Sequence, residues 1–461
     1  MKKTFQLAFI LVVLTSNLFS QQTTEKDFIR TIYTTELTDG SCYEWLDFLS
    51  NHIGGRLAGS PQAAAAVEFT KQIMDTLGLD SVWLQPVMVP HWVRGDKEIV
   101  RIVNSPTRGD IELDAVALGN TIGTGADGLT AEVIEVQSLD EVDALGREKI
   151  EGKIVFFNRP MDATLIRTFG AYGGAVDQRV NGAARAAKYG AVATLVRSMT
   201  LKEDGVPHTG VQHYEDGIPK IPATAISVRD ANLLSQLLKQ EQVSVFIRST
   251  CQMLEPVLSY NVIGTIYGSE YPDEIIAVGG HLDSWDIGDG AHDDGAGCVQ
   301  SIEVLRLFKK LNYRPKRTLR CVMFMNEENG LKGGKAYWAQ SDKKGEFHLA
   351  AIESDAGGFS PRGFSYDGLP EALEKGATVL ESWAPLLEPY GLQIYKGGSG
   401  ADISGLKKQG GILLGLRPDS QRYFDHHHAR TDIFTAINKR ELELGAAAIT
   451  TLVYLIDNNG L

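Results

Sequence analysis

The chain has 461 residues, 43% hydrophobic and 22% charged, with 58 acidic side chains against 45 basic ones and a net charge of −13. That composition is globular, and it excludes disordered and fibrous classes. So acidic a balance argues against nucleic acid or an anionic membrane surface as a partner, because both are held through basic clusters.

At the N-terminus, Lys2 and Lys3 precede a short apolar run, Leu7 to Leu14, and small and polar residues follow from Ser16 to Ser20. This is the layout of an export signal over residues 1–20, and the run is too short to span a bilayer. Export predicts a secreted or periplasmic protein. No Cys stands near the cleavage region to carry a lipid anchor. Without the signal about 440 residues remain, too many for one ordinary core, so two or three domains are expected. No later stretch has about 18 uninterrupted apolar residues, and no membrane span is expected. The four cysteines, Cys42, Cys251, Cys298 and Cys321, match no zinc knuckle. Cys298 and Cys321 lie in apolar surroundings and read as core thiols, while an oxidising compartment leaves a Cys42–Cys251 bridge open.

Residues 21–109 read as the first part of the main domain. Gly54 to Ser60 form a turn, Ser60 caps a helix with Pro61 in its first turn, and Gly78 ends it. Val67, Thr70, Met74 and Leu77 recur at helical spacing. Residues 110–257 change character and read as a β-rich insert. Its strands are Ala131–Val136, Lys153–Phe157, Ala191–Val196 and Pro222–Val228, with a helical piece at Ala183–Tyr189. From 258 to 461 the pattern alternates. Apolar strands at Ile275–Val278, Leu319–Met325, Leu349–Ile352 and Ile412–Leu416 are separated by helical stretches. Alternation of this kind predicts an α/β fold with a mostly parallel central sheet flanked by helices.

Polar clusters follow those strands, where open α/β sheets form their sites. His281 and Asp283 follow the first. A neutral imidazole suits zinc, and Asp283, two residues on, is placed to accept its other ring N–H. Asp293 and Asp294 stand together in a Gly-rich turn before a helix. Adjacent carboxylates repel unless a cation or hydrogen bonds compensate, and Asp294 also reads as a helix cap. Glu327 and Glu328 follow the next strand, where one glutamate can bind metal while the other moves protons. Asp355 follows the fourth, and His426, His427 and His428 lie in a late loop. Each cluster is weak alone. Together they supply imidazoles and carboxylates for two divalent metals sharing an Asp.

Gly280 to Asp286, Gly290 to Gly297, Arg314 to Arg320, Glu327-Glu328, Glu353 to Gly357 and His427-His428 resemble the M28 family of zinc peptidases. Pro207 to Gly210 and Ile218 to Pro222 match as well, so the likeness spans nearly the whole chain. The resemblance implies a zinc-exopeptidase fold whose insert is a protease-associated domain. It implies two Zn²⁺ per chain, bridged by Asp293, with His281 and Asp355 on one and Glu328 and His428 on the other. The family's last histidine stands four residues before an acidic one. Counting back from Asp432 gives His428, with His427 beside it. Glu327 is then the general base and Asp283 its companion in catalysis. The substrates implied are dipeptides or short peptides with free ends, and a homodimer is the implied assembly. An aminopeptidase of the same family is the nearest alternative, and a receptor-like relative without catalysis is the more distant one. The loop Gly397 to Ser404 resembles the family's substrate-side loop, where main-chain N–H groups would meet a carboxylate; it reads equally as a plain glycine turn.

Overall fold

The computed structural model describes residues 24–461; the export signal expected over residues 1–20 lies outside them. In chain order the main elements are α1 (Glu25–Asp39), α2 (Pro61–Thr76), β1 (Ser81–Val93), β2 (Ile99–Ser105), β3 (Gly109–Leu113), β4 (Ala115–Ala117), β5 (Leu129–Val136), α3 (Leu139–Ile150), β6 (Ile154–Phe157), α4 (Asp177–Ala187), β7 (Ala193–Arg197), β8 (Ala223–Ile226), α5 (Val228–Leu238), β9 (Ser244–Arg248), β10 (Gln252–Ile266), β11 (Tyr271–His281), α6 (Ala296–Lys310), β12 (Arg317–Phe324), α7 (Lys332–Lys344), β13 (Phe347–Glu353), β14 (Pro361–Gly368), α8 (Pro370–Ser382), β15 (Gln393–Lys396), β16 (Ile412–Pro418) and α9 (Lys439–Asn459).

Two sheets result. The larger has the order β1-β10-β12-β11-β13-β16-β14-β15. Its centre, β12-β11-β13-β16, is parallel. The pairs β1–β10, β10–β12 and β14–β16 are antiparallel and β14–β15 is parallel, so the sheet is mixed around a parallel core, with parallel pairs in the majority. Both faces are covered, as the continuous apolar runs require. Alternate residues of one strand go to opposite layers. Ile276 and Val278 join a core with Ile302 of α6 and Leu452 of α9, while Ile275 and Ala277 pack with Tyr337 of α7 and Leu406. Ser60 caps α2 by accepting the Ala63 N–H, and Pro61 opens the helix.

The second sheet, β3-β2-β9-β5-β6-β7-β8-β4, takes in residues from Ile99 to Arg248. Its first strand therefore precedes residue 110. The segment also carries more helix than its sequence pattern suggests. β5, β6, β7 and β8 form parallel pairs, and such pairs need crossover connections, which α3 and α4 supply between successive strands. The long antiparallel pair β1–β10 carries the chain out to this sheet and back. One of its cores includes Phe359, Tyr423 and Phe424 from the larger domain, so it is seated against the loops that follow β13 and β16.

No disulfide joins Cys42 and Cys251. Both thiols are free and buried, the first among Leu46 and Ala291 and the second beside Trp92 and Trp285. Burial in two separate apolar clusters keeps them apart. Cys298 and Cys321 are buried core thiols. Among the described residues no helix is long and apolar enough to cross a membrane.

Candidate metal centre

Because β11, β12, β13 and β16 run parallel, their carboxyl ends lie on one edge of the sheet, and the polar clusters follow from there. β11 ends at His281, β12 leads to Glu327 and Glu328, β13 leads to Asp355, and the loop after β16 carries His427 and His428. Asp293 comes from the turn before α6. His281 Nε2 lies 3.2 Å from Asp293 Oδ1 and 3.6 Å from Asp355 Oδ1. His428 Nε2 lies 3.1 Å from Glu328 Oε2 and 3.4 Å from Asp293 Oδ2. His427 Nε2 stands 3.8 Å from the same Asp293 oxygen, and its ring stacks on that of His428 at 3.6 Å. Two sets of ligand atoms gather within 4.8 Å, His281–Asp293–Asp355 and Asp293–His427–His428, and Asp293 belongs to both.

The electrostatics call for a cation. Burial pushes the carboxyls of Asp293 and Glu328 upward, and for Glu328 the charge of Asp293 adds to the effect. Burial likewise raises Glu327 to about 8. At Asp355 burial works upward, but the hydrogen bond and charge of His281 outweigh it and its carboxyl is lowered. Asp293 Oδ2 and Glu328 Oε1 are buried without a hydrogen-bond partner among the described residues. Ionised carboxylates so placed are costly without a counter-charge. The donor set, imidazole nitrogens and carboxylate oxygens, suits zinc. These residues therefore fit a divalent metal.

Further contacts hold the ligands in place. The expected contact between the Asp283 carboxylate and the His281 ring does not form. The His281 Nδ1 partner is instead the Asp283 main-chain carbonyl, at 2.9 Å. The Asp283 carboxylate accepts the N–H groups of Asn326 at 2.6 Å and Glu327 at 3.0 Å. The turn after β11 brings its own carbonyl back to the ring and leaves the side chain aimed at the glutamate turn. Asp294 is the cap of α6, with Oδ1 accepting the Gly297 N–H at 3.0 Å, and its Oδ2 accepts the His281 N–H at 3.0 Å. Gly297 must stay small there, because a Cβ would lie 1.8 Å from the Ser354 carbonyl oxygen. His292 faces away, stacked on Phe359 at 4.1 Å.

Several supporting residues carry no local sequence signal. Asp432 accepts the N–H groups of His292 and Asp293, at 2.7 and 3.1 Å, and so fixes the Asp293 turn. Arg56 is wholly buried. Its guanidinium donates to the carbonyls of Leu282, Asp289 and Gly290 at 2.6, 2.9 and 2.9 Å, bracing the loop between His281 and Asp293. The insert also reaches the site. The Thr209 N–H donates to the His428 carbonyl at 2.9 Å, His208 Nδ1 lies 2.7 Å from the His427 carbonyl, and Arg179 Nη1 lies 3.4 Å from His428 Nδ1. Glu353 is buried as well, with Oε2 accepting the Ile403 N–H at 3.0 Å.

Two expectations follow from these supports. Asp432→Ala should weaken zinc affinity about 10–100-fold, the usual effect of losing a group that orients a ligand, as measured by competition with a chelating dye. Arg56→Ala should cost about 3–5 kcal/mol, because it removes three hydrogen bonds to main-chain carbonyls and empties a buried site, as measured by urea unfolding of the zinc-loaded chain.

The fold and the site define a metallopeptidase, and the sequence places it. Residues 261–453 match the model of Peptidase family M28. Carboxypeptidase Q of Bos taurus is 36% identical over 416 residues, which is 90% of this chain and 84% of that one. The chain belongs to family M28 and is a zinc metallo-exopeptidase. Within that family it is similar to carboxypeptidase Q along most of its length. A solved M28 peptidase precursor from Shewanella amazonensis superposes with a TM-score of 0.89 at 32% identity, over 95% of this chain and 97% of its own. The zinc aminopeptidase of Bacillus subtilis shares the fold, with a TM-score of 0.63 at 20% identity over 90% of this chain and 94% of its own.

Proposed function

We propose that this chain is a two-zinc exopeptidase that cleaves dipeptides or short peptides with free ends, working outside the cytoplasm after export. The observation that carries the two-metal reading is the membership of Asp293 in both ligand sets. His281 and Asp355 would complete one zinc site, and Glu328 and His428 the other. The 3.1 Å approach of His428 to Glu328, against 3.8 Å from His427 to Asp293, supports His428 as the ligand and leaves His427 as its stacked neighbour. When bound, zinc supplies Lewis acidity toward the attacking water and the scissile carbonyl.

The chain's own residues do the rest. Glu327 stands in the same turn as Glu328, but among the described residues only Glu328 has an imidazole nitrogen within 4.0 Å, and the Glu327 main chain is held by Asp283. It takes the proton of the attacking water and returns it to the leaving amine. Asp283 is the residue that positions it. Similarity to carboxypeptidase Q supports a carboxypeptidase or dipeptidase rather than an aminopeptidase. In this reading the second sheet is a protease-associated domain shaping access to the cleft, and the enzyme is a homodimer.

A panel of dipeptides with each end free or blocked tests the reading. Hydrolysis that needs both ends free is expected. It should be lost on chelation and restored by zinc. Cleavage indifferent to a blocked C-terminus would favour the aminopeptidase, and no cleavage together with no bound zinc would favour a receptor-like protein.

A further inference from the structure

Next to the proposed metal pair is a cavity of about 640 Å³, walled by Arg167 and Phe169 on the insert side and by Ala356, Tyr395 and Arg417 on the other. Ala356 directly follows Asp355, so the cavity begins one residue from a proposed zinc ligand. Its walls reverse the sign of the molecule. Arg362 is balanced by Asp419 at 3.0 Å, but neither Arg167 nor Arg417 has a carboxylate within 4.0 Å among the described residues. Arg167 lies over the Tyr395 ring at 5.1 Å. Arg417 is fixed by its own hydrogen bonds, from Nε to Ser365 Oγ at 2.7 Å and from Nη2 to the carbonyls of Gly398, at 2.9 Å, and Ser399. Its Nη1 has no such partner. An arginine held rigidly, with one edge open and no counter-ion, is a preorganised carboxylate receptor.

The Gly397 N–H donates to Tyr366 O at 2.9 Å, and the next two carbonyls face Arg417. On this wall a carboxylate therefore has the Arg417 guanidinium as its cationic partner. Ile166, 85% exposed, and Phe169, 38% exposed, give the mouth an apolar rim that suits the rest of a peptide.

The geometry points to this cavity as the subsite for a carboxylate of the substrate, bound by Arg417 with Arg167 as a second cation across the opening. The inference rests on the peptidase reading and says which part of the peptide is recognised. The carboxylate has two sources in a peptide, the C-terminal α-carboxylate and an acidic side chain.

Four substrates separate them: Ala-Gln and Ala-Glu, each with a free and an amidated C-terminus, given to the zinc-loaded full-length enzyme. In the wild type, removing the recognised carboxylate should raise KM by at least about tenfold. A loss between free and amidated Ala-Gln identifies the α-carboxylate, and a loss between Ala-Glu and Ala-Gln identifies the side chain. In Arg417→Ala that ratio should collapse to within about twofold, and Arg417→Lys should recover part of it. Arg417 also tethers the 398–399 loop, so Arg167→Ala, which breaks no hydrogen bond among the described residues, serves as the second variant and should lower the ratio by about threefold or more. Ratios unchanged in both variants, or a wild type indifferent to both carboxylates while still cleaving the peptides, would overturn the inference and leave the peptidase reading standing. A wild type that cleaves none of the four overturns that reading, and the subsite with it.

Discussion

Glu327→Gln is expected to lower kcat about 10²–10⁴-fold, the range for a lost general base, with zinc per chain unchanged. The reason lies in how two adjacent glutamates are separated in role. Glu328 points to His428 and Asp293. Glu327 is half-buried, has no imidazole nitrogen within 4.0 Å among the described residues, and has its main-chain N–H bound by Asp283 at 3.0 Å. Burial, with the carboxylates of Asp355, Asp283 and Asp293 adding to it, raises its carboxyl to about 8, so the group readily holds the proton that it passes from water to the leaving amine. Glutamine keeps the shape and can still hydrogen-bond to water, but it cannot take up the proton. KM and metal content should therefore stay close to wild type while turnover falls. Atomic emission for zinc and steady-state kinetics on one dipeptide read both quantities. Turnover within about tenfold of wild type would assign the proton transfer elsewhere. Asp283→Ala should give a smaller version of the same defect, about 10–100-fold in kcat, because it releases the turn without removing the base.

The ligand candidates were readable from sequence for a physical reason. His281, Glu328 and Asp355 each stand just beyond a buried apolar strand, and parallel strands put their carboxyl ends together, so pattern alone brings these residues to one edge. Asp293 and Asp294 show as two like charges in a glycine-rich turn, an arrangement that needs compensation. The supporting residues were not readable in this way. Arg56 acts on carbonyls more than 200 positions away, and a carbonyl leaves no mark in sequence. Asp432 binds two main-chain N–H groups 140 and 139 positions away. At Asp283 spacing itself misled: two residues is the right separation for a carboxylate to reach a ring, but the turn chose the carbonyl. The four apolar runs read as strands all fall in the parallel core, and the antiparallel pairs come from β1, β10 and β14, which lie outside those runs. Of the insert's helices, α4 was read in part, at Ala183–Tyr189, whereas α3 and α5 were not read.

Asp293→Ala should remove both metals, and it separates a shared ligand from an ordinary one. The carboxylate places one oxygen 3.2 Å from His281 and the other 3.4 Å from His428, so its loss opens both ligand sets at once, whereas Asp355→Ala and Glu328→Ala would each remove a ligand from only one of the two proposed zinc sites. Zinc per chain should fall from two to near zero in the first variant and to about one in the others, with dipeptide hydrolysis falling by at least about 10³-fold in the first. Stability supplies a second readout. In the wild type, chelation leaves Asp293 buried beside Asp355 and Glu328 with no cation, and burial of these carboxyls is unfavourable without a counter-charge. The metal-bound wild type should therefore lose several degrees of melting temperature on chelation. The variant has no metal to lose and one fewer buried charge, so its melting temperature should be nearly indifferent to chelator. One zinc retained in Asp293→Ala would make Asp293 a ligand of a single metal, and two retained would take it out of the centre altogether.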